Sequence, residues 1–564
     1  MKSKTIIFII ALLSVFSLAQ SQDDQFNSLI TALQGEIKTV NSAKLVYEQE
    51  INIEQPGVID FVLTTIDQKG NQVKYNNKLN FADLDPIMVR EVTEKEKIFV
   101  QLKVENDQKL ISCTKDGEFD GYENIVKIYA ENIDNARAIK EKVLAVIPVA
   151  KEIMKNRFNL ETYDEQLTWL VDNIGDVTVS DKTHQQILQV DKTTKGAVNL
   201  EVVETTSKLT KSTRYQFNLA DINPNSLNFK ISGAYFSVEF ETNRKQKLIK
   251  TYIDGEQGNY NYDLKILAYS VENARDLKYI LDKIIPLAEQ EVSNALPQIN
   301  SVQDATSLLS TEVKEVIIND VTNTQKINND CKAKLDVVVD DMKKKTESSF
   351  EFNLSDINEH SLDYKILGKK FQIVFQTKGG YKLIKAYKDQ EQQNFDDDGS
   401  ILCDDGENAR LIMHALKKGI PLCEAAIVRL VPEDNLAAKV SWLIEHTVEV
   451  TFEAKTINQK LERIESADHN KLRLTITEIT EKKSVEYIYE FNLSDLNPNS
   501  VEYDIKGKEL SIVLNTNYNA KVIKTYEDGE LQNYTNKINI YANDIDLARN
   551  LILGLKESIE ENSK

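Results

Sequence analysis

Cysteine, histidine and long apolar runs are all scarce in this chain, and each shortage closes off a class of function. Four cysteines among 564 residues cannot staple a fold of this size, and no two form a CxxC pair of the kind that holds zinc. The five histidines, His184, His360, His414, His446 and His469, fall in no HExxH or GxSxG context. They share no recurring arrangement with a serine or cysteine nucleophile, so no catalytic machinery is expected. No cofactor motif is present. Beyond the N-terminus no apolar stretch approaches the roughly 18 residues that would cross a bilayer, so no membrane insertion is expected. Positive charge is also short: the net charge is -20, which repels phosphate backbones and argues against nucleic acid as a partner.

What remains is the composition of a folded protein, with 41% hydrophobic and 28% charged residues. Lys2 and Lys4, the apolar run Ile6 to Leu18 and the small-x-small Ser17-Leu18-Ala19 have the form of a secretory leader over 1–22, so a secreted or periplasmic location is expected. In an oxidising compartment the cysteines can pair. Cys403 and Cys423 are expected at opposite ends of one helix, out of reach of each other, while Cys331 and Cys403 can meet between strands; none of the four recurs between repeats, so the fold is not expected to depend on a disulfide.

One phrase organises the chain. Phe81-Ala-Asp-Leu-Asp-Pro86 returns as Phe217-Asn-Leu-Ala-Asp-Ile-Asn-Pro224, as Phe352-Asn-Leu-Ser-Asp-Ile-Asn358 and as Phe491-Asn-Leu-Ser-Asp-Leu-Asn-Pro498. Behind it, in constant order, come Lys-Leu-Ile or Lys-Val-Ile, then Asp-Gly-Glu (Asp389-Gln-Glu in the third copy), then Ala-Arg at Arg137, Arg275, Arg410 and Arg549. The period is between 135 and 139 residues. A unit that long can bury its own core, so beads on a string are expected rather than a solenoid. The repeats are set at 23–160, 161–298, 299–430 and 431–564.

Each repeat reads as a short entry helix, about seven strands and a closing helix. In the fourth, the strand-like runs are Val448–Ile457, Leu472–Ile479, Val485–Leu493, Val501–Ile505, Leu510–Leu514, Ala520–Tyr526 and Lys537–Tyr541. Asn132, Ser270, Asp405 and Asp544 each stand five residues before the recurring arginine and are good N-caps. Ala274, Leu277, Leu281 and Ile284 then make a single apolar stripe. The fold class is α+β, with mostly antiparallel strands. Seven strands closed by a C-terminal helix resemble the pleckstrin-homology-like barrel, and the resemblance implies a binding scaffold whose ligand is a protein, peptide or small molecule.

Two features are candidate sites. Asn394, Asp396 and Asp398, followed by Gly399 and Ile401, resemble a calcium EF-hand loop, although Asp405 stands where that loop carries a bidentate Glu. Arg137, Arg275, Arg410 and Arg549 are either ligand anchors or structural partners of the recurring Asp83, Asp221, Asp356 and Asp495. An arginine near a helix N-terminus opposes the dipole and needs an acceptor, expected within its own domain. The expected function is a secreted multivalent binding protein, not an enzyme. A structural or surface-spacer array is the alternative, and an unfamiliar enzyme with a site in one repeat is a more distant one.

Overall fold

The computed structural model describes residues 22–179, 181–453, 455–464 and 470–562. The expected leader lies outside the described residues except for Gln22, which begins the helix α1 (22–36). In the first repeat α1 leads into nine strands and a closing helix: β1 (Val40–Asn41), β2 (Leu45–Gln55), β3 (Val58–Asp67), β4 (Gln72–Asn80), β5 (Arg90–Glu94), β6 (Lys97–Lys103), β7 (Ile111–Lys115), β8 (Glu118–Glu123), β9 (Ile125–Ala130) and α2 (Ile133–Asn156). The strands form an antiparallel sheet of six, in the order β1-β2-β3-β4-β7-β8, and one of three, β5-β6-β9. All four repeats share this 6+3 arrangement, each followed by its helix.

There are nine strands per repeat, two more than the alternation of the sequence suggests. One is a two-residue strand such as Glu530–Leu531, too short to leave a periodic signal. The other comes from the run Val448–Ile457, which splits into a hairpin, Val450–Phe452 against Lys455–Arg463, where Glu453 takes a left-handed conformation (φ 34°).

The recurring phrases make the turns expected of them. After β4 the chain makes two short 3₁₀ turns, Phe81–Asp83 and Pro86–Met88, in which Asn80 and Asp85 accept hydrogen bonds from Ala82 N and Ile87 N. This double turn carries the chain from the larger sheet to the smaller in every repeat. Asp116, Asp254, Asp389 and Asp528 all sit at positive φ, between 48° and 51°. Each accepts a hydrogen bond from a backbone N–H of the β4 counterpart, which fixes the β7–β8 hairpin.

The closing helices start where the caps place them. Asn132, Ser270, Asp405 and Asp544 accept from the backbone N–H groups of Asn135, Asn273, Asn408 and Leu547. Ala274, Leu277, Leu281 and Ile284 are buried against the sheets. Leu281 is 1% exposed, so Leu281→Ala is expected to cost about 2–5 kcal/mol in denaturant unfolding; a loss under about 1 kcal/mol would place the helix on the surface. Among the described residues no helix is long and apolar enough to cross a membrane.

The cysteines pair differently from the expectation. Cys331 is bonded to Cys423, while Cys403 and Cys113 are free and buried. Cys403 ends the β9 counterpart, Asp398–Cys403, rather than starting the helix. The end of the closing helix returns to the start of the β3 counterpart, and that return places Cys423 on Cys331.

The chain divides into two compact units, Met1–Ala295 and Leu296–Lys564, each holding two repeats. The repeats within a unit are not independent beads. In the first unit the buried apolar side chains form one continuous cluster from Phe26 to Val292. Tyr122 packs on Phe236 at 5.4 Å, and Phe158 packs on both Trp169 and Tyr279. In the second unit Phe395 of the third repeat belongs to the core of the fourth.

Candidate functional site

The two sheets of each repeat are tied at one corner by a glutamine on the β2 counterpart. Gln49 Nε2 donates to the carbonyls of Lys38 and Tyr129 at 3.0 and 2.9 Å, and its Oε1 accepts from Tyr129 N at 2.7 Å. Gln186 makes the same three bonds to Gly175 and Leu267, Gln325 to Lys314 and Leu402, and Gln459 to Val448 and Tyr541. The side-chain amide stands in for one residue of a strand and satisfies the β9 backbone at the gap between sheets. Sequence reasoning missed this residue. It recurs in all four copies, but the loops between it and the Phe-Asn-Leu phrase differ in length.

Beside this clamp lies the mouth between the sheets, and the repeats treat it differently. In the first, Tyr47 stacks on Tyr129 with centroids 3.9 Å apart, Phe99 meets Tyr129 edge-on and Lys97 lies over Tyr47. Burial pushes the Tyr129 hydroxyl up to about 12. In the second, His184 meets Tyr235 edge to face and shares a 3.3 Å hydrogen bond with its hydroxyl; burial pushes that imidazole down. In the fourth, Phe452 and Lys455 cover Tyr541.

The third repeat has no such plug. Strand register puts Asn323 where Tyr47 and His184 stand, Leu402 where Tyr129 and Tyr541 stand, and Gly399 where Val126, Leu264 and Ile538 stand. The result is a cavity of about 280 Å³ lined by Leu335, Val337, Val339, Phe350 and Phe352, with Lys370 and Asp398 at its rim. Gly399 is needed for this packing, because a Cβ there would lie 2.5 Å from the Phe375 ring. Val337, Val339 and Phe350 are only half-buried, so apolar surface stands open to a visitor. An apolar concavity with a few polar groups at its edge is the usual form of a small-molecule site.

Two of the recurring arginines, Arg275 and Arg549, find a recurring aspartate, but in the neighbouring repeat. Arg275 of the second repeat reaches Asp83 of the first through both Nε (3.0 Å) and Nη2. Arg549 of the fourth reaches both carboxylate oxygens of Asp356 in the third, at 2.8 and 2.7 Å. The expected pairing within one domain is therefore corrected: the acceptor sits on the turn that the preceding repeat presents to the helix start. Arg275 is 3% exposed, and burial pushes the Asp83 carboxyl up against the pull of that guanidinium. Asp356 is pushed up in the same way. Arg410 bonds Glu407 at 3.2 Å, and the exposed Arg137 pairs with Asp134 at 3.1 Å.

The acidic loop of the third repeat has no EF-hand geometry. Asp396 exchanges backbone hydrogen bonds with Ile384 and Asp398 opens a strand, so strands flank the loop where an EF-hand has helices. The carboxylates of Asp396, Asp397 and Asp398 lie within 4.8 Å of one another. Burial and the two neighbouring acids push Asp398 up. Asn394 stands beside Gly507, and Asp405 is taken by the helix cap.

Other reactive groups are held in quiet settings. Burial pushes the Cys113 thiol up to about 11 and that of Cys403 to about 12, so neither is a thiolate at neutral pH. His414 bonds the Pro297 carbonyl and His446 that of Trp442, while His360 is exposed; His469 lies outside the described residues. A hollow of about 650 Å³ in the second repeat carries Glu239 and Glu241, which are paired with Lys230 and Lys245.

No family model, curated protein or solved structure matches the chain.

Proposed function

We propose that this is an exported, non-catalytic binding protein whose third repeat takes a small, mainly apolar ligand with a polar or anionic group directed at Lys370. One observation carries the reading: the mouth that aromatic or histidine side chains close in the other three repeats is open in the third. The inequivalence of the copies narrows the expectation of a multivalent binder to a single site on a repeated scaffold. The leader-like N-terminus and the Cys331–Cys423 disulfide support export. The two sheets and the closing helix support kinship with pleckstrin-homology-like barrels, although nine strands exceed the seven of that pattern. The structural-array alternative draws support from the buried inter-repeat ion pairs, which hold neighbouring repeats at a set spacing.

The test uses anilinonaphthalene sulfonate, whose aromatic body and anionic group match the cavity and Lys370. The wild-type chain is expected to bind one molecule, read by fluorescence. A chain carrying Asn323→Tyr and Leu402→Tyr, which rebuilds the plug of the first repeat, is expected to lose that binding. Unchanged binding in the plugged variant, or none in the wild type, would leave the array as the better reading.

A further inference from the structure

The Asp-to-Arg junction closes once inside each unit, and the first and fourth repeats each carry half of another. In the closed junction between the third and fourth repeats, the leaving face offers Lys332, Asp356 and Phe395. The arriving face offers Asp546, Arg549 and Ile545. Lys332 pairs with Asp546 and Asp356 with Arg549. Phe395 donates its backbone N–H to the Gly507 carbonyl at 3.0 Å and lines one cleft with Ile545.

The leaving face of the fourth repeat keeps this set with no repeat packed on it among the described residues. Leu493 N bonds Asn470 O as Leu354 N bonds Cys331 O, so Lys471 occupies the position of Lys332 and Asp495 that of Asp356. Tyr534 corresponds to Phe395, since Thr535 pairs with Ile523 as Asp396 pairs with Ile384. Phe395 is buried, whereas Tyr534 is 47% exposed. Neither Lys471 nor the Asp495 carboxylate has an ion pair among the described residues. The arriving face of the first repeat keeps the other half: Asp134 and Arg137 stand where Asp546 and Arg549 do, and Ile133 where Ile545 does. Arg137 and Asp134 are 66% and 85% exposed, and Ile133 is exposed as well.

We infer that the protein assembles head to tail with copies of itself, Asp495 and Lys471 of one chain receiving Arg137 and Asp134 of the next. Charge signs match position by position, and the contact continues a junction the molecule already makes twice. Such an interface is heterologous, so assembly stays open-ended unless the rotation closes a ring. The first-repeat position matching Tyr279, which stacks on Phe158 in the first unit, carries Glu141, so the contact rests more on charge than that internal one does and weakens with salt.

Sedimentation velocity of the full mature chain over a concentration series tests this. At low salt the mean mass is expected to rise above that of one chain, and to fall back in high salt. Asp495→Arg and Arg137→Asp should each hold the protein monomeric. Mixing those two variants should restore assembly with the two alternating, because the unchanged faces meet each other and the two reversed faces are complementary in turn. Combining both reversals in one chain should restore assembly, as should the independent swap Lys471→Glu with Asp134→Lys. A wild-type chain that stays monomeric at every concentration would overturn the inference, as would association that neither reversal reduces.

Discussion

Replacing Arg275 with alanine is expected to destabilise the first unit by about 3–5 kcal/mol in denaturant unfolding, because it leaves the Asp83 carboxylate buried without its partner. The pair is bidentate and closed to water on the arginine side. Asp83→Asn alone should cost a similar amount, since it leaves the buried Arg275 guanidinium charged without its counter-ion. The double-mutant cycle between Arg275 and Asp83 should show coupling above about 1 kcal/mol, while the cycle between Arg275 and Asp221 should be nearly additive. Full stability in Arg275→Ala would remove the junction as a structural element. Coupling to Asp221 in place of Asp83 would return the arginine to a partner in its own repeat.

Reduction of Cys331–Cys423 should have an effect of comparable size in the second unit. The bridge spans 92 residues of sequence, and closing a loop of that length removes unfolded-chain entropy worth about 4–5 kcal/mol in the chain-entropy view. Guanidinium unfolding with and without reductant should show the loss, and Cys423→Ser should show the same loss with no further response to reductant. Because Cys113 and Cys403 are free, a reductant effect that survives in Cys423→Ser would require a different pairing. A difference below about 1 kcal/mol would mean the fold holds the two segments together unaided.

Much of the local structure was legible because it depends on short-range chemistry. The four N-caps and the Asx turns of the Phe-Asn-Leu phrase each need only a side chain and a backbone group a few residues away, and the Asp-Gly-Glu turns need residues that accept a positive φ. The strand Lys537–Tyr541 of the fourth repeat has the bounds its alternation suggests, since alternate side chains point into one core. Two-residue strands were not legible, because no period can be read from two positions.

The candidate site was hidden for a different reason. Asn323, Leu402 and Gly399 lie far apart in sequence and attract no attention singly; they become a cavity only when strand register sets them against Tyr47, Tyr129 and Val126 of the first repeat. Gln325 was overlooked because its partners, Lys314 and Leu402, belong to separate strands or loops joined only when the sheets meet. The arginine motif is legible from its recurrence, and its place near a helix N-terminus calls for an acceptor. Which aspartate supplies it depends on how adjacent repeats dock, and no local pattern encodes that.

By itself, then, the sequence determined the number of repeats, their α+β make-up, the caps and turns, and the absence of any familiar catalytic motif, because these follow from recurrence and from contacts within a few residues. Only the tertiary structure decided that repeats fuse in pairs, that Cys331 meets Cys423, that each buried junction arginine crosses to the preceding repeat, and that the mouth of the third repeat lacks an aromatic plug. Those outcomes rest on side chains from distant segments sharing one desolvated space, where burial fixes which charge needs which partner and where a missing ring leaves a void.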